Sequence, residues 1–373
     1  MTPFPAHTAS LSVNTKAICR NWARLDALSD ASCQTGAVIK ANAYGLGMVP
    51  ISLALYEAGC RLFFAARLHE AITLSKAFGN QAFEEAKIIV FDGMISGQEE
   101  AFIAHQLIPV INDEAQLACA QALAAKKGTP LDVIIHIDTA MARLGLSAQS
   151  WQKITAQKGW DKGLHVMMVM SHLASADEAT AQQNYDQLAL FKELTNTITA
   201  PLSLANSGGV LLGSAFHFQA TRPGLSLYGL CPSDALLDLE TAIRLEADIL
   251  QIRDVPKGAS VGYGASFIAP CPMRLATLGI GYADGLLRHY QPHLMPRIDG
   301  TPCKMVGRIS MDSCVIDVSA LSEAELADAK SAVLFDEEFT PKDLAHKTGT
   351  IGYEVITTLG ERLLRLYDGT SAE

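Results

Sequence analysis

The chain has 373 residues, of which 49% are hydrophobic and 18% are charged, and its formal net charge is -10 at pH 7. This length accommodates two domains, or one large barrel with an additional lobe, and the net charge argues against nucleic acid or an anionic membrane surface as the main partner. The sequence lacks a run of the ~18 apolar residues that a membrane span requires, and Met1 to Ser10 lack a basic start followed by an apolar stretch, so we expect a cytoplasmic protein.

Short apolar segments alternate with helix-like segments through the first part of the chain. The strand-like segments are apolar along their length, as expected when both faces of a parallel sheet are buried. In the helix predicted over 178–194, Tyr185, Leu188 and Phe191 recur at three-residue steps. The other predicted helices cover 48–58, 69–78 and 114–126, and the predicted strands cover 36–41, 62–66, 88–92, 109–111, 132–138, 164–170, 202–205 and 225–229.

Eight strands with intervening helices over roughly 200 residues are typical of a parallel (β/α)8 barrel. A doubly wound open sheet would give a similar pattern, and we favour the barrel. Beyond about Leu237, strand-like segments follow one another directly at 245–253, 273–281, 303–310, 315–318 and 332–335, which predicts a mostly antiparallel β domain. We therefore predict a (β/α)8 TIM-like barrel over residues 9–236 and a β domain over residues 237–373, on which residues 1–8 are candidates to pack.

Cysteine and histidine patterns give no sign of disulfides or metal. The eight cysteines are scattered and form no C-x-x-C pair, so we expect reduced thiols. His289 and His293 have the spacing of a metal pair on a helix, but Pro292 between them breaks the helical pattern. We predict no metal site.

Reactive or glycine-containing clusters adjoin several predicted strands. Lys40 closes the first strand, Ser171 and His172 follow the sixth, Asn206 and Ser207 follow the seventh, and residues 221–224 precede the eighth. A lone lysine or histidine in such a position is more often a solvated, ion-paired or packing residue. Barrel enzymes nevertheless build their sites from the loops at one end of the barrel, so the shared position indicates an active site.

The run VIKANAYGLG, residues 38–47, resembles the cofactor-attachment motif of the alanine racemases, which use pyridoxal 5'-phosphate. The resemblance implies that Lys40 binds this cofactor covalently and that catalysis passes through an aldimine. A lysine at the mouth of a barrel loses hydration, which lowers its pKa and frees its amine for that bond. The small residues around Tyr44 leave room for a flat ring, and Tyr44 can offer its hydroxyl to a phosphate.

Further segments extend the resemblance over nearly the full length of the chain. TRPGLSLYGL, residues 221–230, implies that Arg222 faces the pyridine nitrogen and that the backbone N–H groups of Gly224 and Leu225 approach the phosphate. ANSGG, residues 205–209, implies a phosphate contact at Ser207, with Asn206 beside it.

VGYGASF, residues 261–267, resembles the segment that carries the catalytic tyrosine of the family, here Tyr263. A tyrosine serves as a base only when a neighbouring cation stabilises its phenolate, and His172 and Arg222 are the candidates, since the family links its matching histidine to both the arginine and the tyrosine. The resemblance implies that this tyrosine comes from the partner subunit of a head-to-tail homodimer with shared active sites.

Three segments that contain GIGYADG, GRISMD and TIGYEV match other parts of the family site. They imply that Met311 and Asp312 line the substrate pocket, that Tyr353 reaches the phosphate and that Tyr282 lines the entrance. The glycine–tyrosine pairs could instead be turn glycines with packing tyrosines, and Asp312 could sit in a turn.

The loop IDTAMARLGL, residues 137–146, departs from the family pattern. Arg143 matches the arginine that contacts the substrate carboxylate and the phenolic oxygen of the cofactor. Ala140 stands where many members have glycine, which predicts a slightly different path for the loop. His136 replaces a lysine that some members carbamylate to brace the arginine, so another group, such as a bound anion or His136 itself, must orient Arg143.

The resemblance predicts that the protein interconverts L-alanine and D-alanine with two bases, Lys40 and Tyr263, on opposite faces of the cofactor. The product would supply peptidoglycan, or the reaction would serve D-alanine catabolism. The alternatives are a racemase of broader specificity that also accepts serine, a decarboxylase of the same fold and a single-barrel cofactor-binding protein. The arginine at position 222, where decarboxylases generally carry an acidic residue, and the second domain with Tyr263 favour the racemase.

Overall fold

The computed structural model describes residues 6–79, 85–231 and 238–368. The chain divides into two compact units, one of Ala17–Glu240 and one that combines Met1–Lys16 with Thr241–Glu373. We call them the barrel unit and the β unit. The predicted boundary between residues 236 and 237 lies outside the described residues, as do residues 1–5, and both stay predictions.

The barrel unit is a closed ring of parallel strands. Seven strands pair in chain order, and the eighth pairs in parallel with the beginning of the first. Backbone N–H groups of Gln219 and Arg222 donate to the carbonyl groups of Leu202 and Ala205 at 3.0 and 2.9 Å and close the ring. The predicted (β/α)8 barrel is therefore confirmed. From first to eighth, the strands are Gln34–Thr35 continued by Ala37–Val38, Leu62–Ala65, Lys87–Val90, Ile108–Ile111, Leu131–His136, Leu164–Met170, Leu202–Ser203 and Ala220–Thr221.

Burial explains the composition of the barrel strands. Every residue of Leu62–Ala65 and Ile108–Ile111 is buried, because helices cover one face of each strand and the barrel interior covers the other. Among the described residues, we find no helix with the length and apolar character needed to cross a bilayer. The α-helices of this part of the chain are Thr15–Asp26, Met48–Glu57, Leu68–Phe78, Glu99–Ala104, Glu114–Lys127, Ala148–Thr155, Gln182–Leu194 and Ser207–Leu211.

The eighth strand differs from the prediction. Leu225–Tyr228 is a 3-10 helix, so the predicted strand over 225–229 is wrong, and the actual strand is Ala220–Thr221. All four residues of this 3-10 helix are buried although they form no strand. The hydroxyl of Tyr228 donates to the carbonyl group of Val38 at 2.9 Å, which attaches the helix to the end of the first strand. Residues 221–224 consequently lie at the carboxyl end of the eighth strand instead of preceding it.

The first strand ends earlier than predicted, at Val38, and leads into a left-handed turn. Residues 41–44 have φ angles of 52, 55, 52 and 56°. None of them is glycine, and the left-handed conformation costs an L-residue about 1–2 kcal/mol. The turn must therefore be held by its hydrogen bonds, which include Ala43 N–H to Ile39 carbonyl at 2.8 Å and Gly45 N–H to Ala41 carbonyl at 2.7 Å.

The β unit contains a nine-stranded, mostly antiparallel sheet, as predicted. Its long strand, Ile243–Val255, pairs antiparallel with Ala9–Val13, Met273–Leu278 and Ser331–Phe335. The other strands of the unit are Arg297–Ile298, Thr301–Pro302, Met305–Val306, Cys314–Asp317 and Leu364–Tyr367, with a separate hairpin of Ser260–Val261 and Phe267–Ile268. Its α-helices are Glu323–Asp328, Pro341–Thr348 and Gly352–Thr357.

The predicted start of the barrel at residue 9 is wrong, because Ala9–Val13 belongs to the sheet of the β unit. It pairs antiparallel with Ile243–Val255 on one side and parallel with Leu364–Tyr367 on the other. Its alternate residues Ala9, Leu11 and Val13 are buried, which is the pattern of a strand with one face on a core.

Leu11→Ala should lower the free energy of unfolding of the β unit by about 2–5 kcal/mol, because it leaves a cavity at a fully buried position. Differential scanning calorimetry measures the loss. Ser12→Ala, on the other face of the same strand, is the matched control and should cost less than about 1 kcal/mol. Equal losses in the two variants would contradict this placement of the strand.

Candidate active site

A cavity of about 200 Å³ lies at the carboxyl ends of the barrel strands. The loops of a parallel barrel converge at that end, so residues distant in sequence meet there. The structure thereby brings together three predicted site residues, Lys40, Arg143 and His172. The complete lining is Lys40, Ala66, Phe91, Asp92, His136, Arg143, Leu144, Met170 and His172.

Lys40 begins the segment Lys40–Tyr44, directly after the first strand. Burial lowers the pKa of its amine, the positive charge of Arg143 lowers it further, and the carboxylates of Glu70 and Asp92 oppose the change. A lowered pKa leaves a larger fraction of the amine unprotonated at neutral pH, and the unprotonated amine is the nucleophilic and basic form.

Arg222 is almost fully buried, with 2% of its surface exposed. Its guanidinium donates hydrogen bonds to the hydroxyl of Ser203 and to the carbonyl group of Ser171, both of which are neutral acceptors. Burial lowers its pKa to about 10, so the group stays positively charged at neutral pH. A permanent cation therefore lies at the carboxyl ends of the sixth to eighth strands.

His172 is neutral in this environment. Burial, followed by the charges of Arg222 and Arg143, holds the pKa of its imidazole well below the ordinary value of 6.5. From the sequence, His172 and Arg222 are both candidates for the cation beside the catalytic tyrosine. Of these two groups, only Arg222 carries a charge at neutral pH.

His136 forms a hydrogen bond with Asn112 beneath the cavity, with 2.8 Å between Nδ1 and Oδ1. The amide nitrogen of Asn112 donates to the carbonyl group of Phe91 at 2.9 Å, which directs its oxygen at the histidine. Nδ1 must therefore carry the proton, and Nε2 is left as an acceptor. Burial, Arg222 and Arg143 lower the pKa of His136 to about 4, so the ring is neutral at pH 7.

The loop that carries Arg143 has a backbone conformation that favours glycine, and the predicted difference of its path from that of the family stays a prediction. Ala140 has a φ of 85° and Ala142 a φ of 56°. The carboxylate of Asp138 stabilises this turn, because it accepts the N–H group of Met141 at 2.8 Å and that of Ala142 at 3.0 Å. The alanine at position 140 is thus accommodated by local hydrogen bonds.

A second group of predicted residues gathers around Ser207. Its hydroxyl oxygen accepts the N–H groups of Gly224 at 2.8 Å and Ser226 at 3.3 Å. A side chain on Gly224 would have to displace Tyr44, since a Cβ there would lie 2.4 Å from its hydroxyl oxygen. Asn206 has a local role, in which its side chain accepts the N–H group of Gly209 and begins the helix Ser207–Leu211.

The other predicted residues belong to the β unit. Tyr263 lies at the tip of the hairpin described above and is 73% exposed, and Tyr282 and Met311 are 40% and 52% exposed. Backbone hydrogen bonds of 3.0 Å join the loops of Tyr282 and Met311, from Tyr282 to Ser310 and from Ala283 to Met311. These side chains are therefore presented on the surface of the unit.

Asp312 and Tyr353 have defined places in the β unit. Arg362 donates to the carboxylate of Asp312 at 2.7 Å and to that of the buried Asp284 at 2.8 Å. The side chain of Asp312 is thus held in an ion pair that was not predicted from the sequence. Tyr353 lies in the first turn of the helix Gly352–Thr357.

Several residues that shape the barrel site were not predicted from the sequence. Asn112 directly follows the fourth strand, and Ser203 ends the seventh. Their positions at the carboxyl ends of strands could therefore have identified both as candidate site residues. Ser226 lies within a recognised motif, but nothing in the sequence distinguishes its hydroxyl from that of a packing serine. Among the described residues, we find no group of three or more His, Cys, Asp or Glu side chains suited to a metal ion.

Comparison with known proteins identifies the family of the chain. Residues 13–232 match the alanine racemase N-terminal domain, and residues 242–367 match the alanine racemase C-terminal domain. The catabolic alanine racemase of Agrobacterium fabrum is 39% identical over 359 residues, which cover 96% of this chain and 91% of the relative. The alanine racemase of Dinoroseobacter shibae is 41% identical over 363 residues, which cover 97% and 99%.

Solved structures agree with this result. The alanine racemase of Bartonella henselae with covalently bound pyridoxal phosphate has a TM-score of 0.90 and 35% identity and covers 97% of this chain and 100% of its own. The biosynthetic alanine racemase of Pseudomonas aeruginosa has a TM-score of 0.87 and 32% identity, with coverages of 97% and 99%. The chain therefore belongs to the alanine racemase family.

Proposed function

We propose that the protein is a pyridoxal 5'-phosphate-dependent alanine racemase that interconverts L-alanine and D-alanine. The observation that carries the proposal is the buried amine of Lys40, which lines one cavity with Arg143 and His172. The relatives from Agrobacterium fabrum and Dinoroseobacter shibae are named alanine racemases, and the Bartonella henselae enzyme binds pyridoxal phosphate covalently.

The barrel residues fit a phosphate-bearing cofactor. The hydroxyl of Ser226 is buried and has no hydrogen-bond partner, although its backbone N–H donates to Ser207. A phosphate oxygen would supply the missing acceptor, and Gly224 lets the hydroxyl of Tyr44 approach this part of the backbone closely. The cofactor-binding residues of the proposal are Lys40, Tyr44, His172, Asn206, Ser207, Arg222, Gly224, Leu225 and Tyr353.

Lys40 serves as the covalent anchor and as one of two bases. When bound, the cofactor supplies an electron sink that makes the Cα–H of an attached amino acid acidic enough to be removed. Because burial and Arg143 lower the pKa of Lys40, its Nζ is available to accept that proton.

Tyr263 returns the proton on the opposite face. Its high exposure suits a residue that enters the site of another subunit, and we place it there in a head-to-tail homodimer. Arg222 is the buried cation that stabilises the phenolate, with neutral His172 as the polar link between them. A buried arginine also disfavours a proton on the pyridine nitrogen, which argues for a racemase over the decarboxylase alternative.

Arg143 binds the substrate carboxylate as a cation. Its neighbour His136 presents Nε2 as a neutral acceptor, because Asn112 holds the proton on Nδ1. We propose that this acceptor orients Arg143, so that the chain needs neither a carbamylated lysine nor a bound anion.

Substrate size and physiological role complete the proposal. Tyr263, Tyr353 and Met311 bound a small pocket that admits the methyl group of alanine, while Tyr282 and Asp312 lie at its approach. A broader racemase that also accepts serine is the second candidate, because a hydroxymethyl group is only slightly larger. We assign the enzyme to the cytoplasm, where D-alanine enters peptidoglycan precursors or is catabolised.

Incubation of the purified holoenzyme with single L-amino acids tests the function. Chiral chromatography should show D-alanine formed at least about tenfold faster than any D-amino acid with a longer side chain, since a crowded pocket discriminates by about 1–3 kcal/mol per methylene. Rapid turnover of lysine or arginine with little of alanine would refute the assignment, and release of carbon dioxide would indicate a decarboxylase.

Mixed dimers test the shared site. Lys40→Ala and Tyr263→Phe should each abolish activity, whereas a mixed dimer of the two variants has one site with both bases intact and should recover about half of the wild-type rate. Differently tagged chains allow that dimer to be purified. If both bases came from the same chain, the mixed dimer would be as inactive as its parents.

The neutral state of His136 predicts a loss of stability in acid. As the pH falls from 6.5 to about 4, the unfolded chain binds a proton at this histidine and the folded chain does not, so the free energy of unfolding decreases by roughly 3 kcal/mol. His136→Gln should remove this part of the pH dependence. Urea titrations followed by tryptophan fluorescence report on the barrel unit, because all three tryptophans lie within it. They are Trp22, Trp151 and Trp160. If the free energy of unfolding fell equally with pH in the wild type and in His136→Gln, a neutral His136 would be contradicted.

A further inference from the structure

Glu70 is a nearly buried carboxylate that touches the turn carrying Lys40. It is 9% exposed and lies in the first turn of the helix Leu68–Phe78, after the second barrel strand. Its Oε1 accepts the N–H group of Ala41 at 2.6 Å. Ala41 is bonded directly to Lys40, so this hydrogen bond acts on the peptide unit that fixes where the lysine side chain begins.

The other oxygen of Glu70 has a different task. Oε2 accepts the N–H groups of Ala66 at 2.9 Å and Arg67 at 3.0 Å, which caps the helix in the manner usual for an acidic residue three positions into a helix. One carboxylate therefore ties the end of the second strand to the end of the first. Capping alone accounts for only one of its two oxygens.

Two other helices of the chain show what capping alone looks like. Glu325 accepts the N–H group of Ser322 at 2.7 Å, and Asp343 accepts that of Thr340 at 2.8 Å, each in a comparable capping box. The bond from Thr340 to Asp343 shows that the shorter side chain of aspartate is long enough to accept the N–H group of the capping residue. Glutamate at position 70 provides the additional length that reaches Ala41.

The turn at Lys40 needs such an external contact. Residues 41–44 are all left-handed, with Ala41 at a φ of 52°, and this conformation opposes the intrinsic preference of each residue. Hydrogen bonds within the turn involve Ala43, Gly45 and Gly47 as donors, whereas the N–H group of Ala41 points to Glu70. Glu70 thus stabilises the residue at which the left-handed path begins.

We propose that Glu70 is a positioning residue for Lys40, which fixes the direction of the amine by holding the Ala41 N–H group at the start of the left-handed turn. The inference rests on the proposed function for the role of the amine. The carboxylate also counteracts the effect of Arg143 on the amine, since its charge favours the protonated form of Lys40.

Two substitutions separate positioning from helix capping. Glu70→Asp retains the charge and the cap but cannot reach Ala41, so kcat should fall about tenfold while KM stays within about twofold. Glu70→Gln keeps the length but offers one acceptor oxygen and no charge, and kcat should fall at least as far. Glu325→Gln, the matched capping control, should retain wild-type kcat.

Amide hydrogen exchange of the holoenzyme supplies a readout that does not depend on turnover. In both Glu70 variants, the peptide covering residues 39–47 should exchange at least about tenfold faster than in the wild type, while the barrel strands stay protected. If Glu70→Asp left both this exchange and kcat at wild-type values, Glu70 would be a helix cap only and the proposal would be overturned. Failure to racemise any amino acid would refute the proposed function and leave the exchange test valid.

The wild-type protein provides a test that needs no variant to fold. The Ala41 amide, resolved by fragmentation of the same peptide, should exchange at least about 100-fold more slowly than in an unstructured chain. An Ala41 amide that exchanges at the unstructured rate would overturn the proposal, because it would show that the hydrogen bond to Glu70 is not maintained.

Discussion

The positive charge of two arginines at the carboxyl end of the barrel is the constraint on which the site depends. Arg222 is buried among neutral acceptors and keeps its charge, and Arg143 lines the same cavity as Lys40. Burying a cation such as Arg222 without a matching anion is costly unless other groups adapt. The pKa values of Lys40, His136 and His172 are all lowered, first by burial and then by the charges of the arginines, which disfavours further positive charge beside them.

The same electrostatic environment determines which ligands the barrel can accept. A substrate carboxylate and a cofactor phosphate each bring negative charge that complements the buried Arg222 and the exposed Arg143. The neutral histidines remain able to donate and accept hydrogen bonds without adding to the charge. Two opposite requirements are thus met together, because the amine must be unprotonated to react and the surroundings must attract anions.

Much of the fold could be predicted from the sequence because it depends on local pattern. The helices predicted at 48–58, 69–78 and 114–126 form Met48–Glu57, Leu68–Phe78 and Glu114–Lys127. Two predictions were wrong because the apolar pattern of a segment does not show which strand, if any, the segment pairs with. Residues 225–228 are buried in a 3-10 helix, with the Tyr228 hydroxyl bound to Val38, and Ala9–Val13 pairs with a strand that lies more than 200 residues later in the chain. Neither partner can be identified from the composition of the segment itself.

The candidate site shows the same limit. Lys40, Arg222 and Ser207 stand in motifs that the sequence displays, whereas Asn112 and Glu70 act through bonds to residues far from them in the chain. Asn112 selects the tautomer of His136, and Glu70 binds the backbone beside Lys40. Such residues carry no motif of their own, because any acceptor at the right place in the fold would serve.

The two proposed bases differ in how they become competent. The lowered pKa of Lys40 arises from burial and from charges within the barrel unit, so folding of that unit is sufficient to produce it. Tyr263 is 73% exposed on the β unit. In the proposed homodimer, it acquires the environment of a base only when it enters the partner subunit's barrel. Attachment of the cofactor would then depend on folding alone, whereas return of the proton to the opposite face would depend on association.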